Sequence, residues 1–548
     1  MLAAFGPLLL TNQPLWDDWV NIAYANAGTL WDLFKQMGRR EQFVLMQPFA
    51  ALGAPRACTA MVLLLSCALG PLTYTVIRRA THWPAVDAFW AALLTVLIPL
   101  NQARFALSTE PYAFSCVFFA LSLVVLLHDL ERPALGRRAL IVLLLIMAFS
   151  TNSFLVLAWI APAIVMHEAW RRVDPAASQV QRGTAALWAV VGRSELLLLP
   201  PLYWMAKTIL QPTYGLYANY NKFQISVPAA LWKTLTTLAG QFGRNAAILL
   251  PARSDLPELA ISVVVVLLLF FLAAGFWRLP LATTDTDQSD PGWLSRGLPL
   301  VVAFVLAMSA LFPYVMVGEP PRFSGLWETR HQTTLMMVGG FGIFAFLRLV
   351  LPRRFLWKTA AVISAGFLAL DMSVSHRLVV DALETRAIAD LFRQHPSPPG
   401  TMLFVVENDR GYRALGRFFA FYELSWLANL GQAGNPRLAQ SNQEILDPAT
   451  GTYADAPVPA VVASLVRLCA GDREYPQYGF GGFVSNGQIE TIRLVANRPP
   501  PSPFEAIRQA VHEIGSAEPD QSVPPMVKME SEIGPIGGAC RSPCCSGS

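Results

Sequence analysis

The apolar positions of this chain gather in long runs broken by short polar stretches. A helix needs about 20 mostly apolar residues to cross a bilayer, and about eleven segments of the chain approach that length. They run approximately Met1–Thr11, Ala57–Ile77, Ala85–Asn101, Tyr112–Leu130, Ala139–Ser150, Phe154–His167, Ser194–Leu210, Leu259–Trp277, Leu298–Val317, Gln332–Val350 and Leu356–Asp371. The first is half a span with no basic residue ahead of it. It reads as a tilted, frayed helix or as the remainder of one whose start lies upstream. The segments around Ala139 and Phe154 are short and split by Ser150-Thr151-Asn152-Ser153, as in a helical hairpin that turns within the membrane.

After Asp371 the long runs stop. Val379–Arg393 has helical apolar spacing, Met402–Val406 reads as a buried strand, Arg417–Leu430 as another helix, and Gln488–Ala496 alternates as a strand. From Pro499 onward Pro, Gly and Ser dominate, and order is expected to fade. The pattern predicts an all-α polytopic membrane domain of about eleven transmembrane helices, followed by a small α/β extracytoplasmic domain. The boundaries fall at 1–373 for the membrane part, 374–498 for the soluble domain and 499–548 for a largely disordered tail.

Composition agrees with this division. The chain is 54% hydrophobic and 14% charged, against roughly 25% charged in soluble domains. A net charge of +4 gives no footprint for nucleic acid. Cys58, Cys67 and Cys116 sit inside apolar runs as small core residues, and Cys469 is isolated. Cys540, Cys544 and Cys545 lack a His or carboxylate at zinc-ligand spacing. Charge also orients the spans. Arg78-Arg79, Arg132 with Arg137-Arg138, Arg171-Arg172 and Arg353-Arg354 fall on one side if the spans alternate, and the positive-inside rule makes that side the cytoplasm. The long segment Asn12–Arg56, the loops Asn101–Pro111, Gln211–Glu258 and Gly318–His331, and the C-terminal domain then lie outside it.

Three charged places on that outer side bear on chemistry. Asp17 and Asp18, flanked by Trp16 and Trp19, stand where the first apolar segment ends. Acids beside an apolar boundary are costly to keep charged unless something uses or balances them. Two neighbouring carboxylates also push one pKa upward, which suits a general base. The plainer reading is an interfacial loop: Leu30, Leu33, Phe34 and Met37 fall at helical spacing, with Lys35, Arg39 and Arg40 on the polar side. Arg104 and Glu110 sit at the membrane boundary in a very short loop, either as a structural ion pair or as site residues; Glu110-Pro111 also suits a helix start. Arg330-His331 precedes a late span, where a guanidinium either snorkels or binds a phosphate by paired hydrogen bonds. The loop Gln211–Glu258 adds Tyr214, Tyr217, Tyr220, Asn221 and Lys222, which suit sugar stacking and hydrogen bonding and equally suit an interfacial belt.

Together, Asp17-Asp18, the segment Ala103-Arg104 through Glu110, and Arg330 before a late span resemble the GT-C superfamily of membrane glycosyltransferases. Its members include protein O-mannosyltransferases, the aminoarabinose transferases that modify lipid A, and bacterial O-antigen glucosyltransferases. The resemblance covers roughly Met1 to Asp371, and His331 stands where the family often has Tyr. It implies a sugar donor carried on polyprenyl phosphate, a cell-envelope acceptor (glycan, lipid or protein), and a bacterial inner membrane. Asp18 or Asp17 would act as base, and Arg330, with Arg104, His331 or Lys207, would bind the donor phosphate. Glu110 would orient the acceptor or share a divalent metal ion with Asp18, since some relatives use a metal and others do not. Tyr214, Tyr217 and Tyr220 are the candidate sugar and acceptor contacts.

No Gly-x-x-x-x-Gly-Lys is present, and no Gly-x-Gly-x-x-Gly follows a strand. An enzyme working outside the cytoplasm must draw its activated sugar through lipid. The competing readings are a transporter or flippase, for which Arg193 and Glu195 near a span start speak, and a ligase or polymerase of lipid-linked glycans. A third is a non-catalytic assembly partner.

Overall fold

A computed structural model describes residues 1–53, 55–174, 176–218, 222–244, 256–276, 293–321, 327–406, 419–430, 437–441, 486–497, 501–515 and 527–535. The membrane part contains α1 (Leu2–Phe5), α2 (Asp18–Asn26), α3 (Leu30–Gln36), α4 (Arg40–Ala51), α5 (Pro55–Thr81), α6 (Ala85–Leu97), α7 (Glu110–Glu131) and α8 (Leu135–Ala148). It continues with α9 (Ile160–Arg172), α10 (Gln179–Val191), α11 (Ser194–Leu210), α12 (Val227–Arg244), α13 (Leu256–Phe276), α14 (Trp293–Met316), α15 (Thr333–Val350) and α16 (Arg353–Gln394). Among the described residues six helices are long and apolar enough to cross a membrane: Pro55–Thr81, Leu107–Glu131, Asn152–Arg172, Gly297–Met316, Thr329–Val350 and Arg353–Gln394. A seventh is obtained if the bent pair α10–α11 counts as one span. The chain is thus read as a multi-pass membrane protein.

Fewer full spans emerge than the apolar runs suggested, for local reasons. Met1–Thr11 forms α1 and a short 3-10 helix, not a span. The run from Ala85 gives only the 13 residues of α6. Pro99 holds Ile98 extended at φ −59°, ψ 122°, and the helix stops at Leu97. The run around Ala139 gives the 14-residue α8, which ends before the Ser150–Ser153 turn. A capping box of Ser178 with Gln181 starts α10, and at Arg193 the backbone leaves the helix at φ −131°, ψ 42°, so α10 and α11 meet at a 49° bend.

Two ion pairs, one buried and one half-buried, fix the packing at the arginine-rich end. Arg193 meets Asp129 of α7 at 2.6 Å. Arg348 of α15 meets Asp87 of α6 at 3.2 Å, and Trp357 of α16 donates to the same carboxylate at 2.9 Å. Further along, the middle of α15 approaches α6 closely. A Cβ on Gly340 would lie 2.0 Å from the backbone nitrogen of Thr95, so only glycine permits that crossing.

The soluble part holds β1 (Met402–Val406), α17 (Phe421–Asn429), β2 (Leu438–Ser441), β3 (Gln488–Ala496), α18 (Pro503–Gly515) and β4 (Val527–Pro535). The strand order is β2-β1-β3-β4, with β1 parallel to both its neighbours and β3 antiparallel to β4. Two expectations change here. The boundary at 373 falls inside α16, a single helix of 42 residues, about 63 Å long against a hydrocarbon core of about 30 Å. It therefore runs on out of the bilayer and carries the sheet domain. The region after Pro499 is also not wholly disordered, because α18 packs with buried Ala506 and Ala510, and β4 pairs with β3 over its whole length. One hydrophobic core joins the two parts, running from Phe5 through Leu378 to Leu403 and Leu494.

Candidate functional site

Asp18 is the first residue of α2, and its side chain turns inward to 1% exposure. Its Oδ1 accepts from both the backbone N–H and the hydroxyl of Ser108, each at 2.8 Å, and its Oδ2 accepts from the Leu15 N–H at 3.1 Å. Burial pushes its carboxyl up to about 6, against the downward pull of those hydrogen bonds. Ser108 lies in the 3-10 turn Leu107–Thr109 that runs directly into α7. The bond from Ser108 therefore places Asp18 beside the start of that helix, where Glu110 is the first residue and Pro111 follows.

Glu110 is fully buried, and among the described residues neither of its carboxyl oxygens has a hydrogen-bond partner. It lies within electrostatic reach of Asp18. An unpartnered buried carboxyl is expensive, and Glu110 is one of several buried polar side chains among the described residues with an atom left without a hydrogen bond. Asp17 points differently: its Oδ1 accepts from the Tyr422 hydroxyl at 2.9 Å, tying α2 to α17 of the soluble domain.

Arg104, expected at the donor phosphate or in an ion pair with Glu110, is committed elsewhere. Its Nη2 reaches both oxygens of Asp371 in α16 at 3.1 and 3.2 Å, its Nε donates to the Asn101 carbonyl at 2.9 Å, and its Nη1 to the Val96 carbonyl at 3.3 Å. The guanidinium also lies 4.9 Å from the Phe5 ring centroid. Arg104 thus staples the α6–α7 loop to the middle of α16. The same loop is tied to the start of α15. Thr329 accepts from the Gln102 and Ala103 N–H groups at 2.9 and 3.2 Å, and Asn101 donates to Thr333 at 2.8 Å. These bonds bring the segment of Arg330 and His331 to the same end of the bundle as Asp18.

That end carries cations. Lys207 of α11 pairs with Glu41 at 2.5 Å, and Tyr203 donates to the same carboxylate at 3.2 Å. Lys207 also reaches the Ser150 carbonyl at 3.5 Å, to which Gln42 donates at 2.9 Å. His331 stacks on Tyr314 at 5.2 Å, and the Tyr314 hydroxyl donates to Ser153 at 3.1 Å. Arg39 lies within electrostatic reach of Lys207, Tyr314 and His331. Arg330, half-buried, completes this side. Among the described residues no group of three or more His, Cys, Asp or Glu side chains gathers to hold a metal ion.

Of the candidate acceptor contacts, Tyr214 is exposed and its N–H donates to the Gln36 carbonyl at 3.2 Å. Tyr217 lies in a short 3-10 turn beside α3. Tyr220 lies outside the described residues. The chain matches no protein-family model, no curated protein and no solved structure.

Several residues of the site gave no clear signal in sequence. Arg39 read only as the polar side of an interfacial helix, and Glu41 and Tyr422 carried no motif. Asp371 had one available signal, a carboxylate at the end of an apolar run, which in a membrane needs a partner.

Proposed function

We propose that the protein is an integral membrane glycosyltransferase of GT-C type, moving a sugar from a polyprenyl-phosphate donor to a cell-envelope acceptor with inversion. The reading rests on the buried acid pair: Asp18, held by Ser108, beside a Glu110 whose oxygens are unpartnered. A carboxylate with its pKa near 6 is largely ionised at neutral pH yet basic enough to accept a proton. It takes the proton of the acceptor hydroxyl as that oxygen bonds to the anomeric carbon. The bond from that carbon to the phosphate oxygen breaks, and the lipid phosphate leaves with the electron pair. Arg39, Lys207 and Arg330 lie on the same end of the bundle and supply positive charge for the growing phosphate anion. Glu110 orients the acceptor through its free oxygens.

Because Asp18 is 1% exposed, the acceptor reaches it only when α2 shifts. The link from Tyr422 to Asp17 makes α17 part of that motion. The donor chain has a seat in an apolar cleft of about 430 Å³ among α5, α7, α9, α14 and α15, lined by Phe119, Leu123, Ile160, Ile164, Val302 and Phe341. Phe119 lies nine residues beyond Glu110 on α7, about 14 Å deeper in the bundle. In this reading the acid-bearing end faces away from the cytoplasm of a bacterial inner membrane, and the arginine-rich end faces the cytoplasm.

The test is transfer of radiolabelled sugar from polyprenyl-phosphate donors by the purified wild type and its Asp18→Asn, Asp17→Asn and Glu110→Gln variants. Asp18→Asn is expected to lose about a thousandfold in rate or more. A wild type that transfers no sugar from any donor, yet moves lipid-linked glycan across vesicles, sinks the proposal in favour of transport.

A further inference from the structure

The end of the bundle opposite the acids has a pocket of its own. Where α5, α7 and α9 finish, a hollow of about 570 Å³ opens, with Arg78, Arg79, His82 and Arg172 on its walls. Its charges do not cancel. Three arginines stand against two glutamates: Glu131 lies 3.4 Å from Arg79, and Glu168 lies 2.8 Å from His82, a contact that is an ion pair only when the imidazole is protonated. Two of the arginines are in neither contact. Arg78 gives one hydrogen bond to the Tyr74 hydroxyl at 3.0 Å, and Arg172 one to the Leu130 carbonyl at 2.9 Å. Neither pairs with a carboxylate among the described residues. A guanidinium has five N–H donors, so each of these exposed side chains on the wall of the hollow keeps donors beyond the one bond it gives.

The position and the wall identify the ligand class. α5 ends at Thr81, α7 at Glu131 and α9 at Arg172, so the hollow lies at the level where spans leave the hydrocarbon. Leu127 and Leu130 give it an apolar side. Guanidiniums bind phosphate oxygens by paired hydrogen bonds, and basic pockets between helices at this level take anionic lipid head groups. We propose that the pocket binds the phosphate of an anionic phospholipid from the leaflet on the arginine-rich side, engaging Arg78 and Arg172. A free phosphate would gain nothing from the leucine wall, whereas the glycerol and first methylenes of a lipid would cover it. This inference stands apart from the transfer reading and needs no sugar chemistry.

The experiment uses the purified full-length chain in a neutral maltoside detergent and follows its thermal unfolding. Dioctanoyl phosphatidylglycerol is titrated in, with dioctanoyl phosphatidylcholine and inorganic phosphate in parallel. The anionic lipid is expected to raise the midpoint saturably, and the Arg78→Gln/Arg172→Gln double variant to weaken that response at least about tenfold. Both side chains are exposed, so the fold should tolerate the change. Thr75→Trp, which crowds the hollow without removing charge, is expected to weaken the response as well. Arg353→Gln/Arg354→Gln, an exposed pair on the same end, is expected to leave it unchanged. An equal response to phosphatidylcholine overturns the proposal, as does an equal response to inorganic phosphate. So does an unchanged affinity in the double variant or, should that variant fail to fold, in Thr75→Trp.

Discussion

Replacing Asp18 with asparagine separates the electrostatic cost of that side chain from its chemistry. Burial raises its pKa from 3.8 to about 6, so the folded chain holds the proton more tightly than the unfolded one. The stability this group contributes is therefore fully present below about pH 3.8 and is lost as pH rises through about 6. A shift of that size is worth about 3 kcal/mol. Between pH 8 and pH 5 the wild type should regain about 1.4 kcal/mol of it. Asparagine has no such proton to gain, so its stability lacks this slope. It keeps an oxygen for Ser108 but loses the acceptor for the Leu15 N–H, worth about 1 kcal/mol. The variant should then be about 2 kcal/mol more stable than wild type at pH 8, and about 0.5 kcal/mol more stable at pH 5. Thermal unfolding of both proteins in detergent at pH 5, 6, 7 and 8 measures the difference. Parallel curves, or a variant weaker than wild type at pH 8, would refute the argument from burial.

Three further outcomes follow from the same geometry. Asp371→Asn leaves Arg104 buried without its counter-charge, and unfolding should show a loss of about 3–5 kcal/mol. Gly340→Ala drives a Cβ into the backbone of Thr95 and should cost about 1–3 kcal/mol. Gly342→Ala, which meets only the Ala303 side chain at 3.4 Å, serves as its tolerated control in the same melts. Tyr422→Phe removes the hydrogen bond to Asp17 and should cost about 1 kcal/mol, with faster amide exchange across 421–429 and 18–26 as the sign that the soluble domain has loosened on α2. Unchanged exchange at both segments would show that this bond does not hold the two together.

Elements whose information is local were readable from the chain. Met402–Val406 and Gln488–Ala496 are strands over those residues, in line with a short apolar run too brief for a span and a partial alternation of polar and apolar positions. Glu110-Pro111 likewise marked the start of α7. After Pro499, α18 and β4 stand in a stretch rich in Pro, Gly and Ser and are stabilised by α16 and β3, which lie far off in sequence.

What the sequence by itself determined is the membrane character of the chain, its charge asymmetry and the presence of acids and cations near helix ends. Hydropathy and charge act at each position along the chain, whatever the fold around it. The tertiary structure decided which of those charges meet. Arg104 and Asp371 are 267 residues apart and share a buried bond, Ser108 holds Asp18 from 90 residues away, and Tyr422 reaches Asp17 across 405. Such partners cannot be read from spacing, because a buried charge is satisfied by whichever side chain the packing of helices brings within about 3 Å of it. Among the described residues the same packing left both carboxyl oxygens of Glu110 without a hydrogen bond.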